Sequence, residues 1–477
     1  MQSFATTTDM LGHQVAAVQK VLPSRVGALF MEMGSGKSRT AIELARLRSQ
    51  KIDKVIWYCP VSLKETVRRE ILKHTDSDGS DICVFDNKTT PGTLPDAWWY
   101  IIGIESMSSS PRVITAANLL TTDKTMVILD ESSYIKGHNA LRTQRITAIS
   151  ERAKYRLVLT GTPLSQGVVD LFSQMRFLSP KILGYSSFYS FAANHLEYSE
   201  KFPGMIVRAH NVPYLAAKIQ PYVYQVTKDE CLDLPSKIYR TRYFSMTGEQ
   251  RYYYELAKNE ILDSLLDDEI DSIAIFRLFS VLQQIVSGFW NRKRGRRKDK
   301  GAGPIIMDHE RIDTLINTVS DIPQEEKIII WAKFHHDIQQ IEQALQKEYG
   351  GGSVALFYGK FSERKRVEQV EFFRNGARFF LATQSCGGHG LTLNEAHYVI
   401  FYNNGFKYSE RLQAEDRCHR IGQESKVTYI DIECSNSIDE RISSALGSKG
   451  NVVQAFKAEV DKVKGKKSKI KELIKAL

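Results

Sequence analysis

The chain has 477 residues, of which 42% are hydrophobic and 25% are charged, proportions that are typical of a globular protein and exclude a largely disordered one. No apolar run approaches the ~18 residues that a membrane-spanning helix needs, and the N-terminal segment lacks the basic start and apolar stretch of a secretory signal. Six scattered cysteines without a Cys-x-x-Cys pair exclude a disulfide scaffold and argue against a zinc site. We therefore expect a cytoplasmic protein, in the host cytoplasm if it is viral, with no membrane partner.

The formal net charge of +10 is concentrated in two segments. Residues 291–300 carry seven basic groups and one acid, and residues 449–477 carry nine lysines and three acids, so each segment has a net charge of +6. Local basic segments indicate a polyanionic partner, most often nucleic acid. A solvated linker and a solvated tail would explain the same charges equally well.

The order of apolar runs predicts two α/β regions on either side of a helical insert. Over the first ~180 residues β-rich runs alternate with helical patterns, which is typical of a parallel sheet, and the alternation returns at residue 327. The predicted strands of the first region are 26–31, 54–59, 100–104, 125–130 and 155–160, and long helices are predicted at 248–267 and 271–287. The predicted division is an N-terminal lobe over 1–180, a helical insert and basic linker over 181–304, a C-terminal lobe over 305–447 and a basic tail over 448–477.

A phosphate-binding loop is indicated by Gly34-Ser35-Gly36-Lys37-Ser38, which lies between an apolar strand and a helix. Glycines allow successive backbone N–H groups to approach phosphates, and the following helix adds its positive N-terminal end. Lys37 would reach the β- and γ-phosphates, and the Ser38 hydroxyl would hold Mg²⁺. The pattern G-x-x-x-x-G-K-[ST] is met only at its end, because Met31 occupies the position of the first glycine.

A second acidic motif follows another buried strand, where Val127-Ile128-Leu129 is followed by Asp130 and Glu131. A carboxylate at the end of such a strand is where a P-loop enzyme places a Mg²⁺ contact, and the adjacent Glu131 can orient and deprotonate an attacking water. Alone, an Asp-Glu pair after a strand is more often a helix cap. Together with the loop, the pair indicates nucleotide hydrolysis.

A third strand ends in Leu159-Thr160-Gly161-Thr162-Pro163-Leu164, and with it the chain resembles the Swi/Snf-type motors of helicase superfamily two. The usual family strings are close to DEMGLGKT, DEAH-like-IKN and LTGTPLQN, and here they stand as MEMGSGKS, DESSYIKGHNA and LTGTPLSQ. The C-terminal half agrees through QSCGGHGLTL at 384–393 and QAEDRCHRIGQ at 413–423. The resemblance covers residues ~11 to ~445 and implies an α/β fold of two RecA-like parallel-sheet lobes with a helical insert between them.

The resemblance also implies an ATP site in the cleft between the two lobes. Leu11-Gly12-His13-Gln14 is similar to the segment that reads the nucleotide, and the Gln14 amide can pair with both the donor and the acceptor edge of adenine. Lys37, Asp130 and Glu131 would be catalytic, and Ser38 and Asp130 would hold Mg²⁺. The residues implied to contact ATP are Gln14, Met33, Gly34, Ser35, Gly36, Lys37, Ser38 and Gly390.

The last motif adds two arginines to the implied catalytic set. Gln413, Arg417 and Arg420 are spaced i, i+4, i+7, and this spacing predicts that they share one face of a helix. Guanidinium groups aimed at a γ-phosphate neutralise its developing charge, which is the arginine-finger role. The alternative is an exposed basic stripe bridged by Glu415 and Asp416.

A contact with DNA is implied by Val61-Ser62-Leu63-Lys64, which matches the first strand-contacting motif of the family. Ser62 and Lys64 would bind DNA phosphates, although a helix start capped by Ser62 explains the same residues. Two positions depart from the family, because Ser133 replaces a histidine and Asn404-Gly405-Phe406 replaces Trp-Asn-Pro.

We therefore predict a minimal phage or bacterial form of an ATP-dependent DNA translocase or helicase that uses ATP and Mg²⁺. Its partner would be duplex or forked DNA, bound largely without sequence preference. The alternatives are a motor subunit of a restriction or defence complex and a nucleic-acid-binding module with little ATPase activity of its own.

Overall fold

The computed structural model describes residues 4–164, 167–198, 206–264, 272–291, 303–384, 391–463 and 467–477. It contains two compact units, Met1–Asp233 and Leu234–Leu477. Each unit is built on a parallel sheet, which confirms the predicted α/β class with two parallel-sheet lobes. Within the described ranges, no helix is both long and apolar enough to cross a membrane.

Nine strands lie in the described part of the first unit. They are β1 (Val26–Met31), β2 (Lys54–Cys59), β3 (Ile82–Val84), β4 (Trp99–Gly103), β5 (Thr125–Asp130), β6 (Tyr155–Thr160), β7 (Leu196–Tyr198), β8 (Ile206–Ala209) and β9 (Val223–Val226). Seven of them form a sheet in the order β3-β4-β2-β5-β6-β1-β9, in which every neighbouring pair is parallel, and β7 and β8 form an antiparallel hairpin. All five predicted strands of this unit are present within one residue of their predicted bounds.

Helices cover both faces of this sheet. They are α1 (Gly12–Val21), α2 (Lys37–Leu47), α3 (Lys64–His74), α4 (Ser106–Ser109), α5 (Pro111–Leu120), α6 (Leu141–Ser150), α7 (Leu171–Leu178), α8 (Pro180–Leu183), α9 (Phe188–His195), α10 (Val212–Ile219) and α11 (Lys228–Cys231). Successive residues of a strand point to opposite faces, so Val127 and Leu129 pack into one apolar cluster while Met126 and Ile128 pack into the other. Burial on both faces explains why these strands are continuous apolar runs.

The second unit repeats this architecture with a six-stranded parallel sheet. Its strands are β10 (Lys237–Phe244), β11 (Phe289–Trp290), β12 (Ile305–Ile306), β13 (Lys327–Ala332), β14 (Val354–Phe357), β15 (Phe379–Thr383), β16 (Ala396–Phe401) and β17 (Val427–Cys434). The order in the large sheet is β10-β17-β16-β13-β15-β14, while β11 and β12 pair with each other. The helices are α12 (Gly248–Ser264), α13 (Ser272–Val286), α14 (Arg311–Ser320), α15 (His335–Tyr349), α16 (Glu363–Asn375), α17 (Tyr408–Glu415), α18 (Ile438–Gly447), α19 (Val452–Lys462) and α20 (Lys467–Lys475).

The division into two units differs from the four-part division predicted from the sequence. Residues 181–304 were expected to form a helical insert, but β9 pairs with β1 in the first sheet and β10 pairs with β17 in the second. The boundary between the two units along the chain lies between these strands, at residues 233 and 234. Strand pairing therefore assigns two strands from the middle of the expected insert to the two sheets. The predicted basic run at 291–300, apart from Asn291, lies outside the described residues.

The basic tail forms two helices that pack on the second unit. Phe456 of α19 and Ile474 of α20 are each 1% exposed and belong to the main apolar cluster of this unit. The tail is also tied to α12, because the Tyr254 hydroxyl donates to the Leu477 carbonyl at 2.9 Å and the Lys258 ammonium donates to the Lys475 carbonyl at 2.8 Å. The tail is therefore part of the folded unit.

We expect Phe456→Ala to lower the free energy of unfolding of the second unit by about 3 kcal/mol, the cost typical of removing a buried phenylalanine ring. The ring packs on Phe279, with 5.2 Å between ring centroids, and truncation would leave a cavity there. Urea or thermal unfolding measures the change. Gln454→Ala, at an exposed position of the same helix, should leave the transition in place. Equal transitions for the two variants would contradict the packing of the tail.

Candidate functional site

Parallel pairing brings three predicted motifs to one edge of the first sheet. The strands β5, β6 and β1 are neighbours, with Phe30 opposite Thr160 and Asp130 opposite Leu159. The chain leaves each strand at its carboxyl end, so all three following loops emerge at the same edge, where α/β proteins bind their ligands. The loops approach closely, since a Cβ atom on Gly161 would lie 3.2 Å from the Met33 nitrogen.

The predicted phosphate loop connects β1 to α2 and is shaped by its own backbone. Gly34 and Gly36 have φ angles of +79° and +87°, in the left-handed region that glycine adopts without steric cost. Ser35 is buried, and its hydroxyl donates to the Glu32 carbonyl at 2.6 Å. The Lys37 ammonium donates to the Met31 and Glu32 carbonyls at 2.9 and 3.3 Å, so it lies above the carboxyl end of β1. Ser38 follows in the first turn of α2.

Helix α1 supports this loop from one side. Gln14 is buried, donates its amide to the Ser35 carbonyl at 3.3 Å and accepts from the Leu11 nitrogen at 3.0 Å. The neighbouring His13 ring is hydrogen-bonded to the same Ser35 carbonyl at 2.7 Å. The structure thus places Gln14 beside the phosphate loop.

The acidic pair lies at the end of β5. Asp130 is 8% exposed, and burial together with the Glu131 charge raises its pKa to about 7, although the Lys37 charge acts in the opposite direction. Its carboxylate accepts from the Glu131 nitrogen at 2.9 Å. Glu131 has a φ of +49°, a left-handed conformation that costs a non-glycine residue about 1–3 kcal/mol. A strained backbone at this position is typical of a functional residue.

The residues predicted to hold Mg²⁺ have suitable chemistry. Mg²⁺ prefers oxygen ligands and in phosphate-transfer sites takes one or two protein ligands besides phosphates and water. The Ser38 hydroxyl and the Asp130 carboxylate provide such oxygens. Burial and the Glu131 charge raise the Asp130 pKa, and a bound cation would compensate the charge of the ionised carboxylate. Among the described residues, no group of three or more His, Cys, Asp or Glu side chains could hold a metal by itself.

Three further residues shape this site, and the sequence motifs did not single them out. His13 contacts the loop through Ser35. Glu32 accepts from the Lys228 nitrogen at 2.7 Å and thereby ties the loop to the residues after β9. Gln174 of α7 bonds to both of the loops that follow β5 and β6. His13 and Glu32 lie within the quoted motif strings without an assigned role there, whereas no local pattern marks Gln174.

The strand-contacting segment 61–64 consists of a 3-10 turn, Val61–Leu63, and the first residue of α3, and its capping interpretation is wrong. The helix has Leu63 at its N-cap position and no side-chain capping bond, so Ser62 does not cap it. The Lys64 ammonium donates to the Phe85 carbonyl, which holds the side chain against the loop after β3. Binding of DNA by Ser62 and Lys64 stays a prediction.

The predicted helix face for Gln413, Arg417 and Arg420 is also wrong, because α17 ends at Glu415. The Arg417 carbonyl accepts from the Leu393 nitrogen at 2.9 Å, and this bond to a distant segment draws the backbone out of the helix. Arg417 is buried and its Nε donates to the Gln413 carbonyl at 2.9 Å. Arg420 is partly exposed, and its guanidinium donates to the Leu391 carbonyl at 3.1 Å. Gly390 lies outside the described residues.

A buried ion-pair cluster positions α17 within the second unit. The Arg411 guanidinium pairs with Glu415 at 2.8 Å and with Asp431 of β17, and the Lys237 ammonium of β10 pairs with Glu415 at 3.0 Å. Burial alone would raise the pKa of Glu415, but the Arg411 and Lys237 charges outweigh it and the pKa is lowered. Glu415 therefore fixes the helix to two strands. The alternative interpretation expected it to bridge an exposed arginine stripe, and it does not.

Comparison with known families decides the classification. The SNF2-related domain matches residues 14–287, more than half of the chain, and the helicase conserved C-terminal domain matches residues 310–422. The chain belongs to the SNF2-related family. The predicted resemblance to Swi/Snf-type members of helicase superfamily two is thus confirmed.

Similar proteins come from bacteria and eukaryotes. An ATP-dependent helicase of Mycoplasma genitalium is 26% identical over 333 residues, which are 69% of this chain and 30% of that protein. The DNA annealing helicase and endonuclease ZRANB3 of Homo sapiens is 25% identical over 458 residues, 92% of this chain and 40% of that protein. The chain therefore spans between 30% and 40% of the length of these relatives. A Sulfolobus solfataricus SWI2/SNF2 ATPase core in complex with dsDNA aligns with a TM-score of 0.45 at 21% identity, over 100% of this chain and 96% of that one.

We expect Gly36→Ala to destabilise the first unit, because alanine at a φ of +87° is strained by about 1–2 kcal/mol. The added Cβ would also lie 2.0 Å from the Gln14 amide nitrogen and would displace that side chain from the loop. Thermal unfolding measures the effect. Gly12→Ala is the matched control, since a Cβ there meets no atom within 4 Å. A midpoint for Gly36→Ala at or above that of Gly12→Ala would contradict the described loop.

Proposed function

We propose that the chain is an ATP-dependent DNA motor that couples ATP hydrolysis to movement along duplex or forked DNA. The observation that carries the proposal is the meeting of Lys37, Asp130 and Glu131 at one edge of the first sheet, in a chain of the SNF2-related family. These are the ammonium and carboxylate groups that phosphoryl transfer from ATP requires. The names of the helicase relatives support the same class of activity.

Each site residue in the first unit has a distinct part in the proposed reaction. The glycine-rich loop offers backbone N–H groups to the phosphates, and the Lys37 ammonium exchanges its carbonyl partners for phosphate oxygens. Ser38 and Asp130 would hold Mg²⁺, which neutralises charge on the phosphates when it is bound. The Glu131 carboxylate orients the attacking water and accepts its proton. Gln14, beside the loop, is proposed to read the adenine.

The second unit is proposed to supply positive charge to the reaction. Arg417 and Arg420 have guanidinium groups that stay charged at every physiological pH and can bind phosphate oxygens through two parallel hydrogen bonds. Arg420 is the better candidate for the finger, because it is partly exposed while Arg417 is buried and bonded to its own turn. The Arg420 guanidinium donates to the neutral Leu391 carbonyl, and a charged phosphate oxygen is a stronger acceptor than a carbonyl.

Binding of DNA is proposed from charge as well as from family. In the described part of the tail most of the large apolar side chains are buried, whereas five lysines are exposed: Lys449, Lys462, Lys469, Lys471 and Lys475. Exposed lysines bind phosphates without reading sequence. A polyanion with a regular phosphate spacing suits such a surface, and duplex DNA is the partner that the family favours.

The proposal is tested by ATPase rates without nucleic acid and with duplex, single-stranded or forked DNA, or RNA. The wild-type chain should hydrolyse ATP fastest with duplex or forked DNA. Glu131→Gln should bind ATP yet lose turnover by a factor of about a thousand, because it keeps the shape of the side chain but not its basicity. Lys37→Ala should instead lose affinity for ATP, since an ammonium partner of the phosphates is removed.

Substitution of a carboxylate outside the site provides the control for these variants. Glu255→Gln changes an exposed carboxylate of α12 in the second unit and should leave turnover unchanged. Near-normal turnover of Glu131→Gln on DNA would show that Glu131 is not the base. A wild-type rate that no nucleic acid changes would refute the DNA motor itself.

The arginine assignment is tested by Arg420→Ala. We expect its kcat to fall on the order of a thousandfold with ATP affinity nearly unchanged, because a finger acts on charge that develops in the transition state. Pre-steady-state hydrolysis and equilibrium binding of a nucleotide separate the two quantities. The control is Arg364→Ala, whose side chain is 91% exposed and paired only with a neighbour in α16. A loss that lies wholly in ATP affinity would refute the assignment.

A further inference from the structure

The buried Gln174 amide joins two loops of the candidate site. Its Oε1 accepts from the Ser132 hydroxyl at 2.6 Å, in the loop after β5. Its Nε2 donates to the Pro163 carbonyl at 2.9 Å, in the loop after β6, and to the Asp170 carbonyl at 2.9 Å. Gln174 and Ser132 are both completely buried, so the bond between their side chains does not compete with water. One side chain thus holds both loops through opposite ends of a rigid planar amide.

Ser132 directly follows Glu131, whose left-handed backbone is strained. Such a conformation persists only where neighbouring residues hold it in place. The bond from Ser132 to Gln174 fixes the residue next to the strained one, and a second residue of α7, Ser173, donates to the Lys136 carbonyl at 3.0 Å and fixes the far end of the same loop. Helix α7 therefore acts as a brace for the loop that begins with Glu131.

We propose that Gln174 is a positioning residue that sets the Glu131 carboxylate and couples its loop to the loop at 161–164. It acts through Ser132 and does not itself contact the reacting groups. Because each end of the amide is bonded to a different loop, displacement of either loop strains the bond to the other. The proposal rests on the proposed ATPase function, and it adds a residue that no sequence motif marks.

Ser132 and Gln174 form a matched pair. If the serine hydroxyl were absent, the buried Oε1 would lose this donor, and if the amide were absent, the Ser132 hydroxyl would lose this acceptor and the Pro163 and Asp170 carbonyls one donor each. Ser133, the neighbour of Ser132, replaces the histidine that is usual in the family. The bond through Ser132 provides a link from this loop to the next that does not depend on a side chain at position 133.

The first experiment compares the kinetics of Ser132→Ala, Gln174→Met and the double variant. We expect each single variant to lower kcat about tenfold and to change KM for ATP less than twofold, because positioning of the base affects the transition state and not nucleotide binding. The double variant should be no slower than Gln174→Met, since both changes break the same link.

Gln250→Met is the matched control, because Gln250 of α12 is equally buried and makes the same kinds of bond. It accepts from the Thr247 nitrogen at 3.1 Å and donates to the Ile285 and Val286 carbonyls at 2.8 and 3.0 Å, within the second unit. It should lose similar thermal stability yet keep kcat. If Gln174→Met lowers kcat of the folded protein no more than Gln250→Met does, its role is only structural and the proposal is overturned.

Amide hydrogen exchange tests the coupling without relying on ATPase activity. In Ser132→Ala, the coupling predicts exchange about three- to tenfold faster in both 131–136 and 161–164, the range expected for loss of one hydrogen bond. Faster exchange in 131–136 alone would overturn the coupling. A wild-type chain without DNA-dependent ATPase activity would refute the proposed function, whereas the exchange result would still decide whether Gln174 joins the two loops.

Discussion

The parallel register of β5, β6 and β1 is the constraint on which the candidate site depends. It places the loops after these strands side by side, although Lys37 and Asp130 are separated by more than ninety residues of chain. Backbone hydrogen bonds and apolar burial on both faces of the sheet fix this register, because a slip of one residue would exchange the side chains of the two faces. The rigid sheet holds Glu131 in its strained backbone conformation and keeps the Asp130 carboxylate buried.

The sequence predicted the central strands because each is a continuous apolar run, which is what burial on both faces requires. The same signal is missing from β10, where five of the eight residues are exposed and three are basic. This strand exists because it pairs with β17, almost two hundred residues away, and no local pattern records such a pairing. The prediction of a helical insert over 181–304 therefore missed the two strands in its middle, because β9 and β10 are defined by their partners in the two sheets.

The candidate site was predictable where its residues are contiguous in the chain. Lys37 and the Asp130-Glu131 pair lie in motifs whose spacing carries the chemistry, so their identity did not require a structure. The end of α17 and the brace formed by Gln174 depend on contacts with segments distant in sequence, through Leu393 in one case and Ser132 in the other. The i, i+4, i+7 spacing therefore predicted Arg417 on a helix, although α17 ends two residues earlier, at Glu415.

Two buried carboxylates, Glu415 in the second unit and Asp130 in the first, differ in how far neighbouring cations compensate their charge. In the second unit Glu415 has two cationic partners, Arg411 and Lys237, and its pKa is lowered. In the first unit Asp130 is equally hidden from water, but the Lys37 charge does not offset burial and the neighbouring Glu131, so its pKa is raised to about 7. A carboxylate whose charge is already compensated serves to hold a helix on a sheet. The Asp130 carboxylate, whose charge is not compensated in this way, would be stabilised by a cation bound beside the phosphate loop.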